Sequence, residues 1–238
     1  MATNNSVALI VTSNDRMGDS GKETGYWLEE LAVPYFALVD DGQRVVIASP
    51  LGGTPPVDPR SVERARQAAD TDGGSWFRRW ESDEEARKAI ASSVATADLQ
   101  AGQFDAAFVA GGHGAMWDLP HDHALTSFIN DLINGNKLVG TVCHGAAVLC
   151  GVVDGAGAPT IRNRKITCYS DEEERGLGLE GVVPFMLESR LREMGADVAI
   201  GPPRASFTME DGRLITGQNP ASSGPTATLF VTALRDGH

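Results

Sequence analysis

Four apolar runs rich in β-branched residues recur along the chain: SVALIVTS (6–13), RVVIASP (44–50), FDAAFVAGG (104–112) and KLVGTV (137–142). A strand that is apolar at nearly every position must be covered on both faces, and strands separated by helices join in parallel. The pattern predicts an α/β fold with a mainly parallel sheet between helical layers. The intervening segments carry their own signals. TGYWLEELAVPYFALVDDG has helical spacing, with Pro34 expected to bend or break it. SDEEARKAIASSV (82–94) opens with Ser82 and has Glu85 three residues later, a capping box. DHALTSFINDLINGN (122–136) shares the helical period and stops at Gly135. VVPFMLESRLREMGA (182–196) predicts an amphipathic helix ending at Gly195, DVAI a strand, and SFTMEDGRLITG (206–217) a hairpin turning at Asp211-Gly212. The last segment predicts a helix with Asn219 as N-cap and Pro220 at its first position. One domain over residues 1–238 accommodates all of this, with an insertion or lid at roughly 51–95, most clearly the Gly-, Pro- and charge-rich stretch from Leu51 to Trp80.

Charge and cysteine usage narrow the partners. The chain has 32 Asp and Glu against 20 Lys and Arg, a formal net charge of −12 with no basic cluster. Such a chain repels phosphate backbones and anionic lipid, so neither nucleic acid nor a membrane is expected as a partner. No apolar run approaches the roughly 20 residues that cross a bilayer, and the N-terminus lacks the basic flank and apolar stretch of a signal peptide. Cys143, Cys150 and Cys168 are odd in number and lack metal-ligand spacing, which predicts a reducing cytoplasm.

The segment GTVCHGAAVL places Cys143 at the C-terminal end of the fourth apolar run, the edge of an open α/β sheet where chemistry gathers. A nucleophile elbow there tolerates only small residues two positions either side, here Thr141 and Gly145. The N–H groups of the following helix would favour thiolate and lower the thiol pKa. A buried packing cysteine fits these ten residues equally well, and Cys150 and Cys168 read as packing. A thiolate attacking a carbonyl needs oxyanion donors. The glycine-dense AGGHGAMWDLP (110–120) follows the preceding strand, so the amides of Gly112 and His144 could supply them, although glycine pairs more often merely turn a chain. An acid/base could come from Glu29 or Glu30, whose side chains diverge by about 100°; local pattern does not choose between them. Of Asp171, Glu172, Glu173 and Glu174, three read as a solvated face. Tyr26, Trp27 and Trp117 could wall a small pocket, at least one of them serving the core instead, and His113 could reach it from the glycine-rich loop. His121, Asp122 and His123 form a weak alternative as metal ligands, because residues two apart at a helix start diverge.

The segments TSND, TGYWLEEL, AGGHGAMWDLP, TVCHGAAVL, ITCYSDEEE and DGRLITGQNPAS, in this order and spacing, resemble the ThiJ/PfpI superfamily, in particular its glyoxalase III-like, heat-shock-associated branch. The resemblance covers nearly the whole chain. It implies a flavodoxin-like three-layer sandwich of the class I glutamine amidotransferase type, with a nucleophile elbow. It places the nucleophile on Cys143, the neighbouring histidine on His144, the first-helix glutamate on Glu30 and the oxyanion donors on Gly112 and His144. The acidic partner of the histidine falls on Glu174, with Glu172 and Glu173 as close alternatives. True glutamine amidotransferases place their histidine far downstream in an H-x-E pair, whereas only His238 follows His144 here; glutaminase activity is not expected. The parkinsonism-linked branch has Ala after the cysteine, where this chain has His144. The implied activity is glutathione-independent conversion of a 2-oxoaldehyde such as methylglyoxal to a 2-hydroxy acid. It would need neither cofactor nor metal, with a small carbonyl substrate and a cytoplasmic homodimer. A cysteine peptidase or amidase, and a stress-related chaperone or redox sensor, are the alternatives.

Overall fold

In the computed structural model, which describes residues 5–69 and 74–237, the apolar runs become β1 (Ser6–Ile10), β2 (Arg44–Ser49), β4 (Ala106–Val109) and β5 (Leu138–Val142). Around them lie β3 (Val94–Ala95), β6 (Lys165–Ile166), β7 (Asp197–Val198), β8 (Thr208–Asp211) and β9 (Leu214–Gly217). The main sheet runs β3-β2-β1-β4-β5-β9-β8, while β6 and β7 form a separate parallel pair. All neighbours in the main sheet are parallel except β8, which folds back on β9 through Gly212-Arg213.

The period of two along each strand builds two cores. In β1, Val7 and Leu9 point into one and Ala8 and Ile10 into the other, all fully buried. The first core is covered by α1 (Leu28–Asp40), by α3 (Ser75–Ser82) and by α9 (Ser223–Asp236). The second is covered by α6 (His123–Asn134), α8 (Leu187–Glu193) and the 3-10 helix Cys143–Gly151. Helices on both faces of a mainly parallel sheet make the flavodoxin-like sandwich. The remaining helices are α2 (Pro59–Ala68), α4 (Glu84–Ala91), α5 (Ala115–Asp118) and α7 (Asp171–Gly176).

Four local expectations change. Pro34 lies inside α1 and does not break it; Leu31, Phe36 and Leu38, all buried on the first core, hold the helix across the lost backbone bond. The predicted helix 82–94 is shorter, because Ser82 ends α3 with its hydroxyl bonded to Arg78 and Arg79 carbonyls. Asp83 is the N-cap instead, accepting from the Ala86 amide at 2.9 Å, and Val94 joins β3. The predicted helix 182–196 contracts to Leu187–Glu193. The hairpin and the Asn219–Pro220 helix start are as expected, with a short 3-10 turn, Pro220–Ser222, leading into α9.

Within 51–95, α2 and α3 pack on α1. Phe77 and Trp80 are buried, and Trp80 sets its ring edge-to-face against Tyr35 and Phe36. The segment is tied to the chain before α1 by the Tyr26–Val57 bridge and by Thr24 Oγ1 donating to Asp58.

Sheet and α9 meet closely at Gly140, where a Cβ would lie 2.6 Å from Phe108 and 2.7 Å from Phe230. These two rings already pack edge-to-face at 5.3 Å. Gly140→Ala is expected to destabilise the fold by about 1–3 kcal/mol, read as a lowered urea midpoint with unchanged slope.

Candidate active site

Cys143 follows the last residue of β5 with φ +57°, in the left-handed region that non-glycine residues enter only under constraint. The constraint is β4. A Cβ on Gly145 would sit 2.4 Å from the Val109 carbonyl oxygen, so only glycine lets the turn press this close. The segment after it is a 3-10 helix in place of an α-helix, buried from Cys143 to Leu149. Cys143 itself is 4% exposed.

From the sulfur a chain of polar contacts runs outward. Cys143 Sγ lies 3.3 Å from His144 Nδ1, and His144 Nε2 lies 2.7 Å from Glu174 Oε2. The other carboxylate oxygen, Oε1, takes His113 Nε2 at 2.9 Å. Arg60 Nη2 faces His113 Nδ1 at 3.2 Å. Guanidinium can only donate, so His113 Nδ1 accepts and its Nε2–H points at Glu174. Arg60 is in turn clamped by Asp58 through Nε and Nη2. The Tyr169 ring lies over His144 with centroids 4.4 Å apart.

Burial alone would raise the Glu174 carboxyl; the charge of His144 and hydrogen bonds from both histidines outweigh it and hold Glu174 well below the usual carboxylate range. Burial, followed by the neighbouring His144, pushes His113 down to about 4.

Glu30 approaches the sulfur from α1. It is fully buried, and neither carboxyl oxygen has a hydrogen-bond partner of good geometry. A Cβ on Gly111 would stand 2.5 Å from Glu30 Oε2, so the glycine makes room for the carboxyl. Desolvation pushes Glu30 well above the ordinary carboxyl range, opposed by the Cys143 thiol and the Gly111 amide. Burial, then the charge of Glu30, pushes the Cys143 thiol up as well, against a smaller lowering by the His144 amide. The expected lowering of the thiol pKa by the helix start is therefore corrected: in this closed site desolvation wins, and the two acids titrate as a pair.

A cavity of about 370 Å³ opens over the sulfur, lined among others by Trp27, Gly112, His113, Cys143, His144 and Tyr169. Gly112 has φ +104°, and a Cβ there would strike the Gly25 carbonyl oxygen at 2.3 Å. The structure thus brings Cys143, His144, Glu30, Glu174, Gly112 and His113 together. Two expectations fail. Tyr26 belongs to the first core and faces away from the cavity, in a separate cleft with Val57 and Trp80. Trp117 packs on the second core beside Gly18. Glu29 is half-buried and lines another cleft with Trp76. In the acidic run only Glu172 is exposed; Asp171 bonds Ser189, and Glu173 is buried in a polar network. Arg60, Arg64 and Arg204 line the cavity without any sequence signal of their own, and Tyr169 was legible only as a neighbour of the acidic run.

Among the described residues, His113, His144 and Glu174 have ligand atoms within 4.8 Å of one another and could hold a metal ion. Their facing atoms are already bonded to each other. Asp122, expected with His121 and His123 as a weaker alternative, instead caps α6 by accepting from the Ala124 and Leu125 amides. His238 lies outside the described residues.

The shift of His113 has a pH consequence. An unfolded chain binds its proton near 6.5 and the folded one near 4, so between these values acid favours unfolding. About 3 kcal/mol of stability present above pH 6.5 is expected to be lost by pH 4. Urea midpoints at pH 7 and 4.5 should diverge in the wild type and converge in part in His113→Gln.

A family model described as ThiJ/PfpI family-like matches residues 22–160. A glutathione-independent glyoxalase of Schizosaccharomyces pombe is 29% identical over 97% of this chain and 96% of its own length. One of Saccharomyces cerevisiae is 28% identical over 97% and 98%. Among solved structures, the Rapid Encystment Protein 24 kDa of Francisella tularensis matches with TM-score 0.88 at 34% identity, covering 97% of this chain and 99% of that one. Glyoxalase III of Candida albicans matches with TM-score 0.79 at 26% identity, covering 96% and 97%.

Proposed function

The chain belongs to the ThiJ/PfpI-like family, and from that membership and the site geometry we propose that it is a glutathione-independent glyoxalase, converting 2-oxoaldehydes such as methylglyoxal to 2-hydroxy acids through Cys143. The observation that carries the reading is Glu30, a fully buried carboxyl set against the thiol, with only the Cys143 thiol and the Gly111 amide to ease its desolvation. A carboxyl kept this dry is costly to the fold and gains a stronger base for carbon acids, because burial moves its pKa above the ordinary carboxyl range. Full-length relatives named as glyoxalases from two yeasts support the same chemistry.

In this mechanism the Cys143 sulfur adds to the aldehyde carbon and its proton passes to the aldehyde oxygen, giving a hemithioacetal. The Gly112 and His144 amides steady the negative charge that develops on that oxygen. Ionised Glu30 removes the hydrogen from C1 as a proton, forming an enediolate, and returns it to C2. The product is a thioester of Cys143 with the 2-hydroxy acid. Water activated at His144, which Glu174 orients, hydrolyses the thioester and restores the thiol. The balance is one 2-oxoaldehyde and one water in, one 2-hydroxy acid out, with no redox partner. The reading includes a homodimer in the cytoplasm; three free cysteines support a reducing compartment, and sedimentation velocity checks the dimer.

The test is lactate formation from methylglyoxal without glutathione and with EDTA. Wild type is expected to be active and Cys143→Ser inactive. Glu30→Gln should lose roughly 10²–10⁴-fold in kcat while Cys143 still reacts with iodoacetamide; full activity in that variant removes Glu30 from the chemistry. Because catalysis needs ionised Glu30, the acid limb of kcat/KM should lie above the ordinary carboxyl range, the direction in which burial moves this group.

A further inference from the structure

We propose that the site selects 2-oxoaldehydes bearing a phosphate or carboxylate at the end remote from the aldehyde, gripped by a rim of arginines; this rests on the glyoxalase reading above. Two observations converge on it. The first is charge. In a chain of net charge −12, Arg60, Arg64 and Arg204 all line the one cavity over Cys143. Arg60 and Arg64 stand one helical turn apart on α2, and Arg204 comes from the loop before β8.

The acids around the cavity pair with Arg60 and face Arg64, and leave the third rim cation, the Arg204 guanidinium, unengaged among the described residues. Glu174 is shared by two histidines, and burial disfavours the charged form of Glu30. Asp58 is spent on Arg60. Glu173 accepts from Ser170 Oγ, Gln218 Nε2, Asn219 Nδ2 and the Arg204 amide. Arg64 faces Glu29, whose carboxyl burial raises and the Arg64 charge draws part of the way down. Among the described residues the Arg204 guanidinium has no hydrogen-bond or ion-pair partner. Its backbone, however, is fixed: φ is +63°, and its amide donates to the buried Glu173 carboxylate at 2.7 Å. The backbone of Arg204 is thus held at the cavity rim, and its exposed guanidinium is left to close on a ligand.

The second observation is size. At about 30 Å³ per water-sized group, a cavity of about 370 Å³ has room for on the order of ten heavy atoms, and methylglyoxal has only five. The unused room lies within reach of guanidinium groups, which suit the planar, bidentate recognition of carboxylate and phosphate. The anion is a spectator: its binding adds orientation of the carbonyl over the sulfur and leaves the bond changes as given above.

Two measurements test this. The first needs no turnover. Cys143 is alkylated with iodoacetate and with iodoacetamide, near-isosteric reagents that differ in charge. Relative to free cysteine, the wild-type protein should favour iodoacetate at least tenfold, and less so as salt rises and screens the rim. Arg204→Gln and Arg64→Gln should each cut the preference severalfold, and Arg204→Lys should keep most of it. The second compares kcat/KM for 4,5-dioxopentanoate and for the phosphate ester of hydroxypyruvaldehyde with that for neutral 2-oxopentanal. At least one anion should win by tenfold or more, the better one identifies the source of charge, and the advantage should shrink in Arg204→Gln. Equal alkylation ratios in wild type and variants, or a neutral analogue turned over as well as both anions, overturn the proposal. An anion preference in alkylation without turnover of any 2-oxoaldehyde would overturn the glyoxalase reading and leave the cationic rim standing.

Discussion

The site depends on one backbone constraint, the left-handed turn at Cys143. Parallel pairing of β4 and β5 brings Val109 against the segment just past Val142, and only the bare α-carbon of Gly145 can accept the Val109 carbonyl at that spacing. The turn then has nowhere to relax. The sulfur is thrust out of the strand line toward the edge where the loops after β1, β4 and β5 meet. The glycines at 111 and 112 serve the same geometry from the neighbouring strand, one making room for Glu30 and the other for the chain at Gly25 and Trp27.

What surrounds the sulfur divides into a dry side and a wired side. On the dry side Glu30 is desolvated, with only the Cys143 thiol and the Gly111 amide against it, so its proton affinity is high. On the wired side His144, Glu174, His113 and Arg60 form an unbroken run of hydrogen bonds that ends at Asp58. One glutamate is held as a strong base and the other as a permanent anion by environment alone, and this difference allows two carboxyls near one sulfur to take different parts.

Much of this was legible before any coordinates. The four apolar runs gave the central parallel strands because a doubly covered strand leaves a pattern no surface segment can mimic. The elbow was legible because steric demand restricts residue types in sequence, as Thr141 and Gly145 do. Pro34 misled because propensity is local, whereas Leu31, Phe36 and Leu38 decide the helix through tertiary burial. Ser82 misled because a hydroxyl that can cap the next helix can equally close the previous one. Asp171 and Glu173 read as solvent-facing because a run of acids carries no mark of the distant partners, Ser189, Gln218 and Asn219, that satisfy them. Tyr26 and Trp117 failed for a related reason: nearness in sequence to a site loop does not set side-chain direction. The arginines of α2 were illegible because what the 51–95 segment brings to the site depends wholly on how it docks.

Glu173 has a wider reach than its position suggests. It joins the start of α7, which carries Glu174, to Arg204, Gln218 and Asn219, and β9 beside β5 comes from the same late stretch of chain. During synthesis, therefore, the cysteine emerges after Glu30, Arg60 and His113 but before Glu174 and the late segments that Glu173 ties to it. In a nascent chain that has passed β5, His144 still lacks Glu174, and the run of hydrogen bonds is complete only when the C-terminal stretch has been made and has docked. The order of residues along the chain thus makes completion of the site one of the last events of folding.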